Sequence, residues 1–218
     1  FIKVKDNLTG IKKTKKKIFK LNEEQNLALK FLEKTNNKFK VSVLEGTTGS
    51  GKTLVYFERI KKIIEKNQQA LVLLPEIFLT NEFKLRFQDF FGFEPAIWHS
   101  KITPKEKRII WKGIINNKIR ILVGARSALL LPFKKLGIII VDEEHDTSYK
   151  QDEGVIYNAR DMAISRASFE KIPIHLVSSV PSIETFNNIR KKKYRHIKIF
   201  KRFENYPLPE TKIINLNI

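Results

Sequence analysis

Val41-Ser42-Val43-Leu44-Glu45-Gly46-Thr47-Thr48-Gly49-Ser50-Gly51-Lys52-Thr53 is the stretch whose reading decides the fold. An apolar, strand-like run enters a loop with the spacing G-x-x-x-x-G-K-[ST], and an amphipathic stretch carrying Val55, Ile60, Ile63 and Ile64 leaves it. Strand, glycine-rich loop and helix in that order read as a Walker A phosphate loop. Gly46, Gly49 and Gly51 let the backbone curl. The N–H groups of the loop, including Thr47, Thr48 and Ser50, then surround phosphates that also face the positive end of the next helix. Lys52 is placed to reach the β- and γ-phosphates, and the Thr53 hydroxyl to meet a Mg²⁺ ion. The ligand expected is a nucleoside triphosphate.

Further along, apolar runs recur at Ala70–Leu74, Ala96–Trp98, Ile119–Val123, Ile138–Val141 and Ile174–Val177. Helical segments separate several of them, at 81–91, at 103–117 with Thr103, Pro104 and Glu106 at its start, and at 158–170. Continuous rather than alternating apolar strands, spaced by helices, predict an α/β fold with a mostly parallel sheet and helices on both faces. The folded body is expected to start near Leu21. There Asn22 and Gln25 have the spacing of a helix cap and its box partner, and Leu27, Leu29, Phe31 and Leu32 supply an apolar side. No internal repeat is visible.

The chain has 218 residues and is 42% hydrophobic, enough for a buried core. One compact domain is expected over 21–203, with a basic linker over 1–20 and an extended exit segment over 204–218. No apolar run approaches the roughly 20 residues needed to cross a bilayer, and the lysine-studded start lacks a signal-peptide core. A soluble intracellular protein without a membrane partner is the expectation. With no cysteine, a disulfide framework and a thiolate zinc site are both excluded within these residues. The chain begins at Phe1 and has one Met, at 162, so it is expected to be part of something longer. A net charge of +19 favours a polyanionic partner such as nucleic acid. The preference for Lys over Arg, with abundant Ile and Asn, would equally follow from AT-rich coding. Lys12-Lys13, Lys15-Lys16-Lys17 and Lys191-Lys192-Lys193 lie near the ends, where solvated faces are the default.

Ile138–Val141 leads directly into Asp142-Glu143-Glu144-His145. In an open α/β sheet the carboxyl edge is where ligands bind. Asp142 is placed to hold Mg²⁺, directly or through water, and Glu143 to polarise the water that attacks the γ-phosphate. Lys52, Asp142 and Glu143 are thus the candidate catalytic residues. Glu144 and His145 join the nucleotide-binding set, with His145 expected to link the site to a neighbouring segment. A metal-ligand role for it lacks a second His or Cys at suitable spacing.

These two motifs together resemble the superfamily 2 helicases, and the surrounding sequence resembles the bacterial replication-restart helicases of the PriA (primosomal protein N′) family. The resemblance covers about residues 21–218. It rests on Leu21–Gln25, Leu44-Glu45-Gly46, Leu71–Ile77 with Leu79-Thr80, His99-Ser100, Gly124–Leu129, Val141–Gln151 and Tyr157–Asp161. It implies a RecA-like lobe using ATP and Mg²⁺, the first motor lobe of a 3′→5′ DNA helicase at stalled forks. Single-stranded and forked DNA, primosome proteins and single-strand-binding protein are the partners implied, in a bacterial cytoplasm close to the nucleoid. A cysteine-rich zinc region and a second lobe would follow elsewhere in the protein, the latter with the arginine that stabilises the γ-phosphate transition state. These residues alone are therefore expected to hydrolyse ATP very slowly.

Carried over by position, Gln25 would read the adenine, and Glu76, Thr80, Arg126 and Ser127 would lie along the single-stranded DNA track. Such groups bond phosphate oxygens without sequence preference. An ordinary helix-cap role for Gln25 and an internal salt bridge for Arg126 are the plain alternatives. The stretch from Tyr149 to Tyr157 is similar to the family's aromatic-rich loop, which implies DNA contact through Tyr149, Lys150, Tyr157 and the following Arg160; two tyrosines in a polar loop also serve as packing residues. Three departures stand out. Val155-Ile156 replaces a Pro-basic pair, Ala125 replaces a usual Thr, and Ser178-Ser179-Val180-Pro181-Ser182 has Val where Thr could bond to the acidic motif. The first and the last raise a second reading, a nucleotide-gated DNA-binding module with impaired unwinding. A third, a restriction-type translocase, would need a nuclease or methylase partner. Trp98, Trp111 and His175 are expected in the core, His175 with its hydrogen bonds satisfied; His99, at a strand end, could touch DNA.

Overall fold

The computed structural model describes residues 17–35 and 38–201. The N-terminal lysine runs up to Lys16 and the expected exit segment 204–218 lie outside the described residues. Helix α1 (Glu23–Glu33) opens as its sequence predicts: Asn22 accepts from the Gln25 N–H while the Gln25 side chain accepts from the Asn22 N–H, closing the capping box. It buries Ala28, Leu29 and Leu32, whereas Leu27 is 61% exposed. Leu27 falls on the opposite side because positions 25, 28, 29 and 32 already share the face a 3.6-residue turn allows.

Strand β1 (Val41–Gly46) feeds the phosphate loop and helix α2 (Lys52–Glu65). There follow β2 (Gln69–Leu73), α3 (Asn81–Phe91), β3 (Ala96–Trp98), α4 (Pro104–Ile115), β4 (Ile121–Gly124), β5 (Leu136–Asp142), a small hairpin of β6 (Lys150–Gln151) and β7 (Tyr157–Asn158), α5 (Ala159–Phe169), β8 (Ile174–Ser178), α6 (Ile183–Arg190) and β9 (Arg195–Ile199). Seven strands pair in the order β3-β4-β2-β5-β8-β1-β9, all parallel. Every carboxyl end therefore opens on one edge of the sheet.

The inner strands β2, β5 and β8 are buried along their whole length. One face carries Leu44, Val72, Ile140 and Val177 against α1, α2 and α3; the other carries Val43, Leu71, Ile139 and Leu176 against α4 and α5. This is the two-sided cover expected of parallel strands. Phe57 of α2 is fully buried and meets Phe87, Phe90 and Phe91 of α3 at ring separations of 5.5, 5.3 and 5.1 Å. Truncating such a ring costs about 3–5 kcal/mol, so this cluster fixes α2, and with it the loop at its start. Phe19 stacks on Phe90 at 5.9 Å, and Lys17 pairs with Asp89 at 2.7 Å, so residues 17–20 lie along α3.

Two core expectations need correction. Trp111 sits on the outer side of α4 and is 45% exposed, because Ile110 and Ile114 take the inward positions. His175 is fully buried, but neither ring nitrogen has a hydrogen-bond partner. Burial, with the nearby charge of Arg59, pulls its pKa down to about 3 and keeps it neutral.

Candidate active site

The phosphate loop is shaped by close approaches. Gly51 has φ +79°, and a Cβ there would lie 2.3 Å from Nε2 of Gln25; a Cβ at Gly46 would lie 2.6 Å from Oγ of Ser50. Gly51 gives α2 no side-chain cap, which leaves the first N–H groups of the helix available to an anion. The Ser50 hydroxyl is buried without a partner. Lys52 is 8% exposed and folds back, its Nζ donating to the carbonyls of Gly46 at 2.6 Å and Thr47 at 3.2 Å. Burial lowers its pKa, while Glu143 and Asp142 work in the opposite sense. An orphaned hydroxyl, free helix-end donors and an ammonium resting on carbonyl oxygens fit a polyphosphate.

Asp142 ends β5 facing this loop. Its Oδ2 accepts from the Tyr56 hydroxyl at 2.9 Å and its Oδ1 from the Glu143 N–H at 3.0 Å. Burial, then the charge of Glu143, pushes its pKa up to about 6, against the pull of the Tyr56 hydrogen bond. Glu143 has φ +48°, a left-handed conformation that is costly for a residue with a Cβ. Thr53, Lys52, Asp142 and Glu143 line one cavity of about 410 Å³. Thr53 and Asp142 are oxygen donors of the kind Mg²⁺ takes. The same cavity is lined by Phe19 and Arg86, which sequence reasoning missed. Phe19 lies in a stretch that reads as linker, and Arg86 is one charge among many on a surface helix.

Gln25 is buried with both ends of its amide engaged, Oε1 by Asn22 N–H and Nε2 by the Ser50 carbonyl at 2.9 Å. It braces the phosphate loop from α1. Glu144 and His145 do not line the cavity. His145 Nδ1 lies 2.7 Å from the Ser178 hydroxyl, the link to a neighbouring segment expected of it. Glu144 is 2% exposed; its carboxylate accepts from Ser182 N–H at 2.7 Å, Thr185 Oγ1 at 2.9 Å and Arg160 Nη1 at 3.2 Å.

Farther along the same edge, Glu76, Ser100, Arg126, Ser127, Gln151 and Tyr157 border a polar hollow of about 360 Å³. Arg126 Nη1 donates to the Lys150 carbonyl, Ser127 Oγ accepts from Trp98 Nε1 at 3.1 Å, and Glu76 accepts from the Ser100 N–H at 3.3 Å. Thr80 caps α3 through the Phe83 N–H. Lys150 is exposed and pairs with Asp152. Two residues expected on DNA are instead internal. Tyr149 is 1% exposed with its hydroxyl shared between the carbonyls of Asp142 at 2.6 Å and Leu73 at 2.9 Å. It lines the polar hollow, but at 1% exposure it presents almost no surface there. Arg160 is 7% exposed and bound to Glu144. Among the described residues no helix is long and apolar enough to cross a membrane.

Comparison with known proteins agrees with this arrangement. A family profile described as "Type III restriction enzyme, res subunit" matches residues 18–201. The chain is 48% identical over 196 residues to "Replication restart protein PriA" of Rickettsia conorii, covering 90% of this chain and 30% of that protein. To the protein of the same name from Bacillus subtilis it is 38% identical over 198 residues, covering 90% of this chain and 25% of that protein. The chain thus spans a third or less of the length of these curated relatives. Among solved structures, RecG bound to a three-way DNA junction superposes with a TM-score of 0.59 at 20% identity, covering 90% of this chain and 25% of that one. The Pyrococcus furiosus Hef helicase domain gives 0.56 at 16% identity, covering 80% and 37%. At these identities the structures speak for the fold, a RecA-like P-loop lobe. From its phosphate loop, its acidic turn and the match over nearly all its described length, the chain belongs to the family described as the res subunit of type III restriction enzymes, and within it is similar to the replication restart protein PriA.

Proposed function

We propose that residues 21–203 form the ATP-binding lobe of an ATP-dependent 3′→5′ DNA helicase that acts in replication restart at stalled forks. The observation that carries this reading is the convergence of Lys52, Thr53, Asp142 and Glu143 on one cavity, beside a polar hollow on the same sheet edge. The loop N–H groups and Lys52 would hold the phosphates, Thr53 and Asp142 would hold Mg²⁺, and Glu143 would orient and deprotonate water for attack on the γ-phosphate. When bound, Mg²⁺ offsets charge that develops on the phosphate oxygens. Glu76, Thr80, Arg126, Ser127, Lys150 and Tyr157 form the track for one DNA strand, gripping backbone rather than base edges.

The partners fitting this role are single-stranded and forked DNA, primosome proteins and single-strand-binding protein, in the bacterial cytoplasm near the nucleoid; zinc belongs to other parts of such a protein. The binding-module alternative rests on Val180 and on the altered loop at Val155-Ile156. Val180 is 69% exposed and the Ser178 hydroxyl reaches His145 without it, while Val155 and Ile156 are exposed at the tip of the loop. The test is ATPase of the intact protein with and without single-stranded DNA, together with unwinding of forks carrying a tail of either polarity. Stimulated hydrolysis and unwinding from a 3′ tail are expected; ATPase without unwinding of either substrate would return the binding-module reading.

A further inference from the structure

Helices α2 and α3 each bring a cation to the phosphate cavity. Lys52 and Thr53 open α2, and one turn on, the buried Tyr56 hydroxyl donates to Asp142 Oδ2 at 2.9 Å. That hydroxyl also bonds to Thr53 and lies within reach of the positive charge of Arg86 on α3. Arg86 lines the same cavity as Lys52, Thr53, Asp142 and Glu143. Its backbone is held in place by its neighbours on α3: Phe83 and Phe87 meet Phe57 of α2 at ring separations of 6.0 and 5.5 Å. The ring cluster that fixes α2 therefore fixes Arg86 against the start of that helix.

We propose that Arg86 is a further nucleotide-binding residue, its guanidinium engaging the triphosphate of ATP from the α3 side of the cavity. This inference rests on the ATP-binding reading above. The charged lining of the cavity is Lys52 and Arg86 against Asp142 and Glu143. Without Arg86, two carboxylates would face a polyphosphate with a single ammonium to offset them. Arg86 Nη2 now donates to Glu82 Oε1 at 2.7 Å, but the two side chains are 48% and 79% exposed. An exposed pair one helical turn apart is weak. It engages one of the three guanidinium nitrogens, so the planar fork can turn and give two N–H groups to phosphate oxygens. The neighbours of Arg86 in the cavity, Thr53, Tyr56 and Asp142, carry oxygens, which favours the phosphates over the base as its partner.

The experiment is equilibrium binding to the intact protein in the presence of Mg²⁺, with ATP and inorganic tripolyphosphate each displacing a fluorescent ATP analogue. Arg86→Gln, at a half-exposed position, is expected to weaken both ligands about tenfold. Arg86→Lys keeps the charge without the fork and is expected to recover part of that loss. Glu82→Gln frees the guanidinium and is expected to leave both affinities within about twofold of wild type, or tighter. Loss for ATP with unaltered tripolyphosphate would move Arg86 to the base or ribose. Equal losses in Glu82→Gln and Arg86→Gln would make the pair structural, and unaltered affinities in Arg86→Gln would leave it a surface charge; each of these overturns the proposal. Lys52→Ala separates the two readings. Undiminished binding in that variant would remove the ATP-binding reading itself, whereas loss there beside wild-type affinity in Arg86→Gln would overturn this inference alone.

Discussion

Ser178 Oγ lies 2.7 Å from His145 Nδ1 and also donates to the Val180 carbonyl at 2.7 Å. A hydroxyl has one proton, so with that proton on the Val180 carbonyl, His145 carries its own on Nδ1 and donates it to Ser178. The acidic turn is thereby joined to the 178–182 segment through the backbone and Ser178, without any side chain at 180. Val180→Thr in the intact protein is therefore expected to change fork unwinding less than about twofold. Ser178→Ala removes the shared bond, worth about 1 kcal/mol, and is expected to slow unwinding several-fold. A large gain from Val180→Thr in the unwinding assay would reverse this ordering.

Lys52→Ala removes the ammonium that rests on the Gly46 and Thr47 carbonyls. DNA-stimulated ATPase is expected to vanish while much of the DNA affinity stays, because the polar hollow has no lining residue in common with the phosphate cavity. Undiminished ATPase would remove the phosphate assignment.

Glu143→Gln keeps the size and backbone of the strained residue and takes away its basicity. ATP binding, read by a fluorescent analogue, is expected to persist while hydrolysis drops by about 10²–10⁴.

Gln25→Ala tests whether the amide serves the base or the loop. Since Nε2 is occupied by the Ser50 carbonyl, ATP and inorganic tripolyphosphate are expected to lose affinity together. Selective loss for ATP would assign Gln25 to the adenine.

His175 is neutral and buried, with a pKa near 3 against an unfolded value of 6.5. Below 6.5 the unfolded chain binds a proton that the folded chain refuses. Stability from this group is thus whole above pH 6.5 and falls as pH drops towards 3, with a limiting slope of about 1.4 kcal/mol per pH unit. Urea unfolding of His175→Leu between pH 7 and pH 4 is expected to show a shallower decline than wild type.

Much of the fold is legible where chemistry is local. The Asn22–Gln25 and Thr103–Glu106 boxes form as their spacing predicts, and continuous apolar runs become the buried inner strands. Strand β9 escapes because Arg195-His196-Ile197-Lys198-Ile199 alternates polar with apolar at the sheet edge; His196 and Lys198 both pair with Glu45, at 2.8 and 2.9 Å. That partner lies some 150 residues away in sequence, where no periodicity reaches.

The sequence by itself determined the phosphate loop, the acidic turn and a parallel sheet, since each depends on backbone freedom and burial within a few adjacent residues. Only the tertiary structure decided what the charged and aromatic residues after the acidic turn face. Tyr149 and Arg160 look like surface contacts in a polar stretch, yet one is drawn under Asp142 and the other onto Glu144. A buried carboxylate must find its donors wherever the chain brings them, and α6 and α5 supply them from opposite sides of the turn.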